Sequence, residues 1–498
     1  MIRQLRGQSV FYATLLLLAP FASVARETVD YQNLSLTESA QLIREGKIHS
    51  QDLVAAAIRR AEAERELNAF ITLDGKRALG AARAADAART KGTRLGALHG
   101  VPIVIKDNIH VAGLPNTAGT PALRSFMPRE NAPVVQALID AGAIVLGKAN
   151  MHELALSVSS NNATFGPVRN PYDRNRFAGG SSGGTAAAIA ARIVAGGLGT
   201  DTGGSVRIPS ALTGIVGLRP TSGRYSLEGV TPFSHTRDTV GPMARNVADV
   251  ALLDQVITRD LSAMSPVDIK SVRLGVARDP FYKNLDPEVA QVMERTLDKL
   301  RAAGASLVDV TIEDFGATSD KIGPVVGYFE LKSDLAAYLD KYHTQVTLAD
   351  LVAQAAGTDV RDILSNRVLG AQAPTPAAYQ EAMEQNRPKL RQLFAEAFAK
   401  YEIDALIIPT TIMAAQPIEN SFEVMLNGKK MPTLSVFVAN TRPVNNLGCA
   451  GLSVPMGMTA DGLPLGVEID GPAGSDRHLL AIGLQMEKIL GSVPPPKH

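Results

Sequence analysis

The pattern of hydrophobic and polar positions in the first third of the chain predicts helices followed by buried strands. Residues 35–38 have the composition of a capping box that opens one helix, and Ser50 is placed to cap a second. The apolar run at residues 101–105 is typical of a buried strand. A helical pattern at residues 133–141 and an apolar run at residues 143–147 follow it. A strand, a crossover and a second strand indicate a parallel pair, so the predicted fold class is α/β.

The same alternation of strand-like and helical segments continues to the end of the chain. There is no clear internal repeat, low-complexity linker or break in composition, so one large domain over residues 26–498 is favoured over two. Residues 317–400 are mostly helical by pattern and could form a cap over the sheet. The later strands are expected at residues 273–277, 307–312, 405–408 and 465–469, and later helices at residues 287–303 and 477–490.

The N-terminus has the order of regions that is typical of a secretory signal peptide. Arg3 and Arg6 precede an apolar stretch at residues 10–22, and Ser23-Val24-Ala25 then supplies a small-x-small cleavage motif. A membrane anchor and a buried N-terminal helix are the competing interpretations, but a bilayer span takes about 20 apolar residues and this run is shorter. We therefore expect residues 1–25 to be removed and the protein to be exported to the periplasm or secreted.

Composition and charge exclude several classes of protein. The 50 Lys and Arg are balanced by 49 Asp and Glu, and a net charge of +1 gives no indication of nucleic-acid binding. The single cysteine, Cys449, excludes an intramolecular disulfide framework. No cluster of His and Cys has the spacing of zinc ligands, so the sequence predicts no metal site.

Three segments carry candidate chemistry. Lys106 follows the apolar run at residues 101–105, so its amine is expected at the buried end of a strand, where desolvation lowers its pKa. Residues 179–184, Gly-Gly-Ser-Ser-Gly-Gly, place two hydroxyls in a permissive backbone before a helix. Residues 201–210 place Ser205 among successive backbone N–H groups, which is what an oxyanion hole for acyl transfer requires. Taken singly, each segment could also be a strand end or a tight turn.

Two other motifs were compared with the serine-rich segment. Residues 179–183 satisfy G-x-S-x-G, the nucleophile elbow of Ser-His-Asp hydrolases, which would recruit one of the eight histidines. An elbow needs a strand directly before the serine, whereas residues 170–177 are polar and interrupted by proline. A phosphate-binding loop is excluded because no Gly-rich run ends in Gly-Lys-Ser/Thr.

Taken together and in this order, the three segments resemble the amidase signature family. Lys106 precedes Ser181 by 75 residues, and Ser181 precedes Ser205 by 24, a spacing associated with that family. The resemblance covers about residues 34–490, although residues 262–402 match no usable detail. Other segments that resemble landmarks of the family are residues 170–171, 217–221, 238–243 and 462–466.

The resemblance implies a fold and a mechanism. The fold would be a single large α/β domain with a central mixed β-sheet covered by helices on both faces. Ser205 would be the nucleophile, Ser181 a bridging serine after a cis peptide bond, and Lys106 the base of the proton relay, while Asp201 and Arg207 would orient the nucleophile loop. No metal or organic cofactor is implied. The oxyanion would be held by the backbone N–H groups of Thr202, Gly203, Gly204 and Ser205.

The implied reaction is hydrolysis of the C–N bond of a small-molecule amide to a carboxylate and ammonia or an amine. The run from residues 119–123 through Asp201 to Arg219 looks most like family members that act on arylacetamides, such as mandelamide and indoleacetamide hydrolases. Hydrolysis of esters or carbamates by the same triad, a Ser-His-Asp hydrolase and a noncatalytic binding protein are the alternatives. An export signal would separate the chain from tRNA and from the partner subunits of a transamidosome, so that role within the family is not expected here. The sequence leaves a homodimer open.

Overall fold

The central feature of the computed structural model, which describes residues 29–260 and 262–497, is an 11-stranded sheet. The expected signal segment, residues 1–25, lies outside the described residues. Numbered along the chain, the strands of the sheet are β1 Phe70–Leu73, β2 Pro102–Lys106, β3 Ile144–Ala149, β4 Gly196–Asp201, β5 Val216–Arg219, β6 Thr239–Ala244, β7 Arg273–Val276, β8 Ser306–Asp309, β9 Ala405–Pro409, β10 Ala450–Met458 and β11 Pro464–Gly471. They are ordered β1-β3-β2-β4-β6-β5-β10-β11-β9-β7-β8 across the sheet.

The sheet is mixed, with a parallel group near each end. Strand β2 pairs in parallel with β3 and β4, and β7 pairs in parallel with β8 and β9. The strands between these groups pair antiparallel, as does β1 with β3 at the edge. The predicted α/β class and the mixed central sheet are confirmed.

Helices cover both faces of the sheet. In β2, the alternating side chains of Ile103 and Ile105 pack in one hydrophobic cluster, while Val104 packs in another. The first cluster includes side chains of α1, α4 and α7, and the second includes α3 and α5. The helices are α1 Leu36–Arg44, α2 Ser50–Ala63, α3 Gly75–Thr90, α4 Pro133–Asp140, α5 Gly183–Ala190, α6 Arg207–Thr213, α7 Val247–Thr258, α8 Arg278–Phe281, α9 Pro287–Ala302, α10 Phe315–Asp320, α11 Gly323–Lys341, α12 Leu348–Gln354, α13 Thr358–Asp362, α14 Pro376–Glu381, α15 Arg387–Tyr401, α16 Thr433–Phe437, α17 Arg442–Leu447 and α18 Asp476–Leu490.

The glycines of β4 allow the segment before α5 to approach the sheet closely. A Cβ atom on Gly197 would lie 2.2 Å from the backbone oxygen of Val104, and one on Gly199 would lie 2.7 Å from Ser182 Oγ. Both distances are too short for any larger residue without movement of its neighbours. The glycine-rich sequence therefore brings the two serines before α5 against the end of β4.

Residues 317–400 are largely helical, as their pattern predicts, and comprise most of α10, helices α11 to α14 and nearly all of α15. Two π-helical segments, Ile363–Val368 and Ala382–Asn386, follow α13 and α14. The first turn of α11 lies at the cleft described below. Throughout residues 29–260 and 262–497, no helix is both long enough and apolar enough to cross a membrane.

One element before the serine-rich segment differs from the prediction. Asp173–Phe177 forms a short strand, although its polar and Pro-interrupted sequence does not predict one. It pairs with Arg169–Asn170 in a separate two-stranded ribbon, which the buried side chain of Phe177 attaches to the hydrophobic core. A strand of this ribbon is outside the central sheet, so it does not provide the sheet edge on which a nucleophile elbow depends.

Candidate active site

Lys106 is the last residue of strand β2, and its amine is buried. It donates to Ser181 Oγ and to Thr200 Oγ1, both at 2.7 Å, and the lysine is fully buried. Burial lowers the pKa of Lys106 to about 7, against the opposing effect of the Asp201 and Asp238 carboxylates. The amine is therefore neutral in a large fraction of molecules at neutral pH, as its position after an apolar strand predicts.

Asp107, the neighbour of Lys106, does not neutralise that lysine. Its carboxylate lies 3.3 Å from the amine of Lys148, a second buried lysine on β3. It also accepts from the backbone N–H and the hydroxyl of Thr117. The Asp107 carboxylate is thus paired with Lys148 and Thr117.

Ser181 lies in the loop before α5 with its backbone fixed on both sides. The Gly180–Ser181 peptide bond is cis, as the resemblance implies. The Ser181 carbonyl oxygen accepts from the backbone N–H of His152 at 3.1 Å and from Ser160 Oγ at 3.2 Å. These contacts orient the fully buried Ser181 hydroxyl toward Lys106.

Ser205 is the most exposed of the three predicted catalytic residues, since Lys106 and Ser181 are fully buried. It lies in the loop between β4 and α6, is 7% exposed and lines the cleft. Its backbone oxygen accepts from the N–H of Ser182 at 3.2 Å, which joins this loop to the Ser181 loop. Within the described part of the chain, Ser205 Oγ makes no hydrogen bond, to Ser181 or to any other group. Its hydroxyl is therefore free to meet a substrate.

The backbone of the Ser205 loop is held so that several N–H groups remain available. The Thr202 carbonyl oxygen accepts from Arg237 Nη2 at 2.9 Å, and the Gly203 carbonyl oxygen accepts from Thr441 Oγ1 at 2.7 Å. Among residues 29–260 and 262–497, the N–H groups of Thr202, Gly203 and Ser205 have no acceptor. With their carbonyls turned away, these donors are available to an oxyanion in the cleft.

Gly204 differs from the other members of the predicted oxyanion hole. Its N–H donates to Asp201 Oδ1 at 2.9 Å and is therefore already engaged. Its φ of +122° lies in the region that favours glycine, and a Cβ atom there would lie 2.2 Å from Thr441 Oγ1. The contribution of Gly204 is the shape of the loop, whereas its assignment as an oxyanion donor does not agree with this geometry.

Asp201 and Arg207 orient the loop, as the resemblance implies. The Asp201 carboxylate accepts from the backbone N–H of Gly204 and Val206, and Arg207 binds it through two nitrogens at 3.0 and 3.1 Å. Burial alone would raise the pKa of Asp201, but the charges of Arg207 and Arg219 hold it well below its usual range. The carboxylate thus stays ionised and keeps both ends of the Ser205 loop in place.

The Ser-His-Asp alternative finds no support near Ser205. No histidine in the described residues hydrogen-bonds to Ser205 or to the hydroxyl of Ser181. A serine, a histidine and an aspartate do align elsewhere, since His152 contacts Ser159 Oγ at 3.5 Å and Asp359 at 3.0 Å. Ser159 is fully buried and does not line the cleft, so this alignment holds the loop rather than presenting a nucleophile.

The cleft above Ser205 has a volume of about 600 Å³, including its open mouth. Most of its wall is apolar, and two arginines, Arg237 and Arg442, interrupt it. The lining residues come from five segments that only the fold brings together, and the sequence motifs indicate only the segment that holds Ser205. The lining residues are Ala155, Leu156, Ser157, Val158, Thr202, Gly203, Ser205, Phe233, Arg237, Gly323, Pro324, Gly327, Tyr328, Leu434, Val438 and Arg442.

One cluster in the described residues has metal-ligand chemistry, formed by His235, Glu330 and Asp334. These groups are already paired with protein donors and acceptors. His235 Nδ1 contacts Asp334 at 3.0 Å, and Glu330 accepts from Ser234 Oγ and from the Tyr379 hydroxyl. The cluster joins α11 to the loop at residues 233–238 without needing an ion.

Comparison with known proteins identifies the family. A family model described as Amidase matches residues 52–480. The chain therefore belongs to the amidase family, which is the family that its three segments resemble. It is a hydrolase that acts on the C–N bond of amides.

The relatives agree in sequence and in structure. The chain is 42% identical over 480 residues to mandelamide hydrolase of Pseudomonas putida, covering 93% of this chain and 92% of that protein. It is 38% identical over 456 residues to indoleacetamide hydrolase of Agrobacterium vitis, covering 92% and 97%. The structure of native peptide amidase from Stenotrophomonas maltophilia superposes with a TM-score of 0.81 at 30% identity, covering 94% and 99%.

Proposed function

We propose that Ser205 attacks the carbonyl carbon of the amide and that Ser181 and Lys106 form its proton relay. The observation that carries this assignment is the 2.7 Å hydrogen bond between the buried Lys106 amine and Ser181 Oγ, beside a serine that is free in the cleft. Thr200 Oγ1 accepts another N–H of the same amine. Because Thr200 fixes the amine, a neutral Lys106 can direct its lone pair at Ser181.

The reaction proceeds through an acyl-enzyme. Lys106 takes the proton of Ser181 as Ser181 takes that of Ser205, and the Ser205 oxygen bonds to the carbonyl carbon. When the C–N bond breaks, the proton held by Lys106 returns through Ser181 to the leaving nitrogen. Ammonia or an amine departs, and an ester to Ser205 remains. Water attacks this ester through the same relay and releases the carboxylate.

The charge that develops on the carbonyl oxygen is held by backbone donors. The free N–H groups of Thr202, Gly203 and Ser205 are the candidates, because their neighbouring carbonyls are bound by Arg237 and Thr441. Donors that are fixed before the reaction need no reorganisation when charge appears, which is why such sites are effective. Gly204 supports this loop through its conformation.

We propose that the acyl groups of the substrates are of the arylacetic type. Two observations support this: the amides named for the relatives mandelamide hydrolase and indoleacetamide hydrolase, and the apolar cleft wall. The rings of Phe233 and Tyr328 lie 6.5 Å apart on that wall, and Leu156 and Val158 lie in the same lining. An aromatic ring buried among these side chains gains hydrophobic stabilisation that a small aliphatic chain does not.

A panel of amides tests the substrate class. With the purified chain from residue 26 onward, phenylacetamide, mandelamide and indole-3-acetamide are expected to give kcat/KM values at least about tenfold above propionamide, because burial of a ring contributes about 1.5–3 kcal/mol. Ammonia release is the measurement. A C-terminal peptide amide is the comparison substrate, and its preference over the three arylacetamides would contradict an arylacetamide hydrolase.

We propose further that the protein is exported and that its mature form begins at Arg26. The support is the order of basic, apolar and small-residue regions over residues 1–25. Expression of the full-length chain, followed by fractionation and N-terminal sequencing, is expected to find a protein starting at Arg26 outside the cytoplasm. An intact Met1 in the cytoplasmic fraction would contradict export, and a processed protein with another first residue would move only the cleavage site.

A further inference from the structure

Arg442, the first residue of α17, is a cleft residue whose charge is poorly compensated. Its side chain is 19% exposed, and within the described residues its guanidinium makes no hydrogen bond. The nearest carboxylate is that of Asp320, 3.8 Å away on a side chain that is 79% exposed. A guanidinium has five N–H donors, so most of the bonding capacity of Arg442 is open.

Arg237 places a second guanidinium in the same wall. It is 5% exposed and binds only two backbone carbonyls, those of Thr202 at 2.9 Å and Gly323 at 2.6 Å. Its Nε atom is buried without a partner, and no carboxylate in the described residues lies within 4.0 Å of the group. Burial, and after it the charge of Arg442, lowers the pKa of Arg237 to about 9. The two positive charges are therefore close enough to repel each other.

The two arginines meet at the first residue of α11. Arg237 Nη1 donates to the Gly323 carbonyl, and a Cβ atom on Gly323 would lie 2.5 Å from Arg442 Cδ. Helix α11 has 19 residues and no side-chain cap at this end, so the positive end of its dipole points to the same place. Three sources of positive potential thus converge on a wall that otherwise is mostly apolar.

We propose that Arg442, with Arg237 beside it, binds a carboxylate carried by the substrate, so that the preferred amides are those of carboxylate-bearing molecules. This inference rests on the proposed function, which places the scissile amide at Ser205 in the same cleft. A carboxylate accepts two parallel N–H donors from a guanidinium and supplies the negative charge that the wall lacks. The carboxylate could belong to the acyl part or to the leaving amine, and the experiment distinguishes the two.

Matched amides measure the carboxylate preference. Phenylacetamide is the neutral reference, 4-carboxyphenylacetamide carries the carboxylate on the acyl part, and N-phenylacetylglycine carries it on the leaving amine. Each acid is compared with its own uncharged methyl ester, which is 4-methoxycarbonylphenylacetamide or N-phenylacetylglycine methyl ester. For one of the two acids, kcat/KM for amide hydrolysis is expected to exceed that of its ester. In Arg442→Gln this acid-to-ester ratio is expected to fall by about 10- to 100-fold, because a charge-assisted hydrogen bond is lost.

Two further variants separate a binding role from a structural role. Arg442→Lys keeps the charge and is expected to retain part of the ratio, whereas Arg278→Gln, which removes a charge paired with Glu294 on the surface, is expected to leave it unchanged. An arginine that only stabilises the fold would change turnover of acid and ester equally. A wild-type ratio of one for both acids, or a ratio unchanged in Arg442→Gln, would overturn the proposal.

A binding measurement keeps this test independent of the catalytic assignment. In Ser205→Ala, calorimetric titration with 4-carboxyphenylacetamide and N-phenylacetylglycine is expected to show tighter binding of one acid than of phenylacetamide, and Arg442→Gln in that background should remove the difference. Equal binding of acids and phenylacetamide would refute the carboxylate site even if hydrolysis proceeds. Selective binding in a protein that hydrolyses none of the amides would instead refute the proposed function and leave the site standing.

Discussion

Ser205→Ala is expected to lower kcat for amide hydrolysis by about 10⁴- to 10⁶-fold, the range that follows loss of a catalytic nucleophile. The physical reason is that the Ser205 hydroxyl lines the cleft without a hydrogen bond to any described group, on a loop whose backbone is hydrogen-bonded to the Ser181 loop. Ammonia release from phenylacetamide measures the effect. Because Ser205 Oγ makes no hydrogen bond to the described protein, the melting temperature should stay within a few degrees of wild type.

The matched control is Ser159→Ala. Ser159 belongs to the buried alignment with His152 and Asp359, so it is the serine that a Ser-His-Asp mechanism would favour. Its replacement is expected to leave most of the activity in place. Hydrolysis that survives in Ser205→Ala and disappears in Ser159→Ala would move the nucleophile to Ser159 and remove the basis for the lysine relay.

The three chemical segments could be found in the sequence because each depends on local pattern. Lys106 is buried because it ends an apolar strand, and the pattern of residues 101–105 shows this directly. The loop around Ser205 needs small residues at fixed positions, and these are visible as a glycine-rich run. The hydrophobic pattern does not predict strand β4, Gly196–Asp201, because glycine is in general unfavourable in strands. In this strand glycine is required because Ser182 and Val104 approach it closely.

The cleft could not be derived in this way. Phe233, Tyr328 and Val438 lie on three segments separated by about a hundred residues each, and only tertiary packing places them around Ser205. Thr200, which binds the Lys106 amine, is an ordinary strand residue with no motif of its own. The family resemblance assigns the N–H of Gly204 to the oxyanion hole, whereas in the structure this N–H donates to Asp201. Composition and spacing do not encode that hydrogen bond.

Lys106→Met is expected to lower kcat/KM by about 10²- to 10⁴-fold, the usual contribution of a general base. Methionine fills a similar volume without an ionisable group, so the buried site should remain packed. In the wild-type protein the neutral amine is the active form and its pKa is lowered to about 7. Activity is therefore expected to be near its maximum above pH 7 and to fall about tenfold per pH unit below it. Ammonia release between pH 5 and 9 measures this profile.

Lys106 also couples the stability of the fold to pH, in a window that lies above the one in which activity falls. The pKa of Lys106 is 10.5 in an unfolded chain and about 7 when buried, so between these values the unfolded chain binds more protons. The contribution of Lys106 to the free energy of unfolding thus rises with pH over this window and is lost as pH falls toward 7. Circular dichroism in Lys106→Met should show a weaker pH dependence of stability there. A folded Lys106→Met protein that keeps wild-type kcat/KM and the inflection near pH 7 would exclude Lys106 as the base.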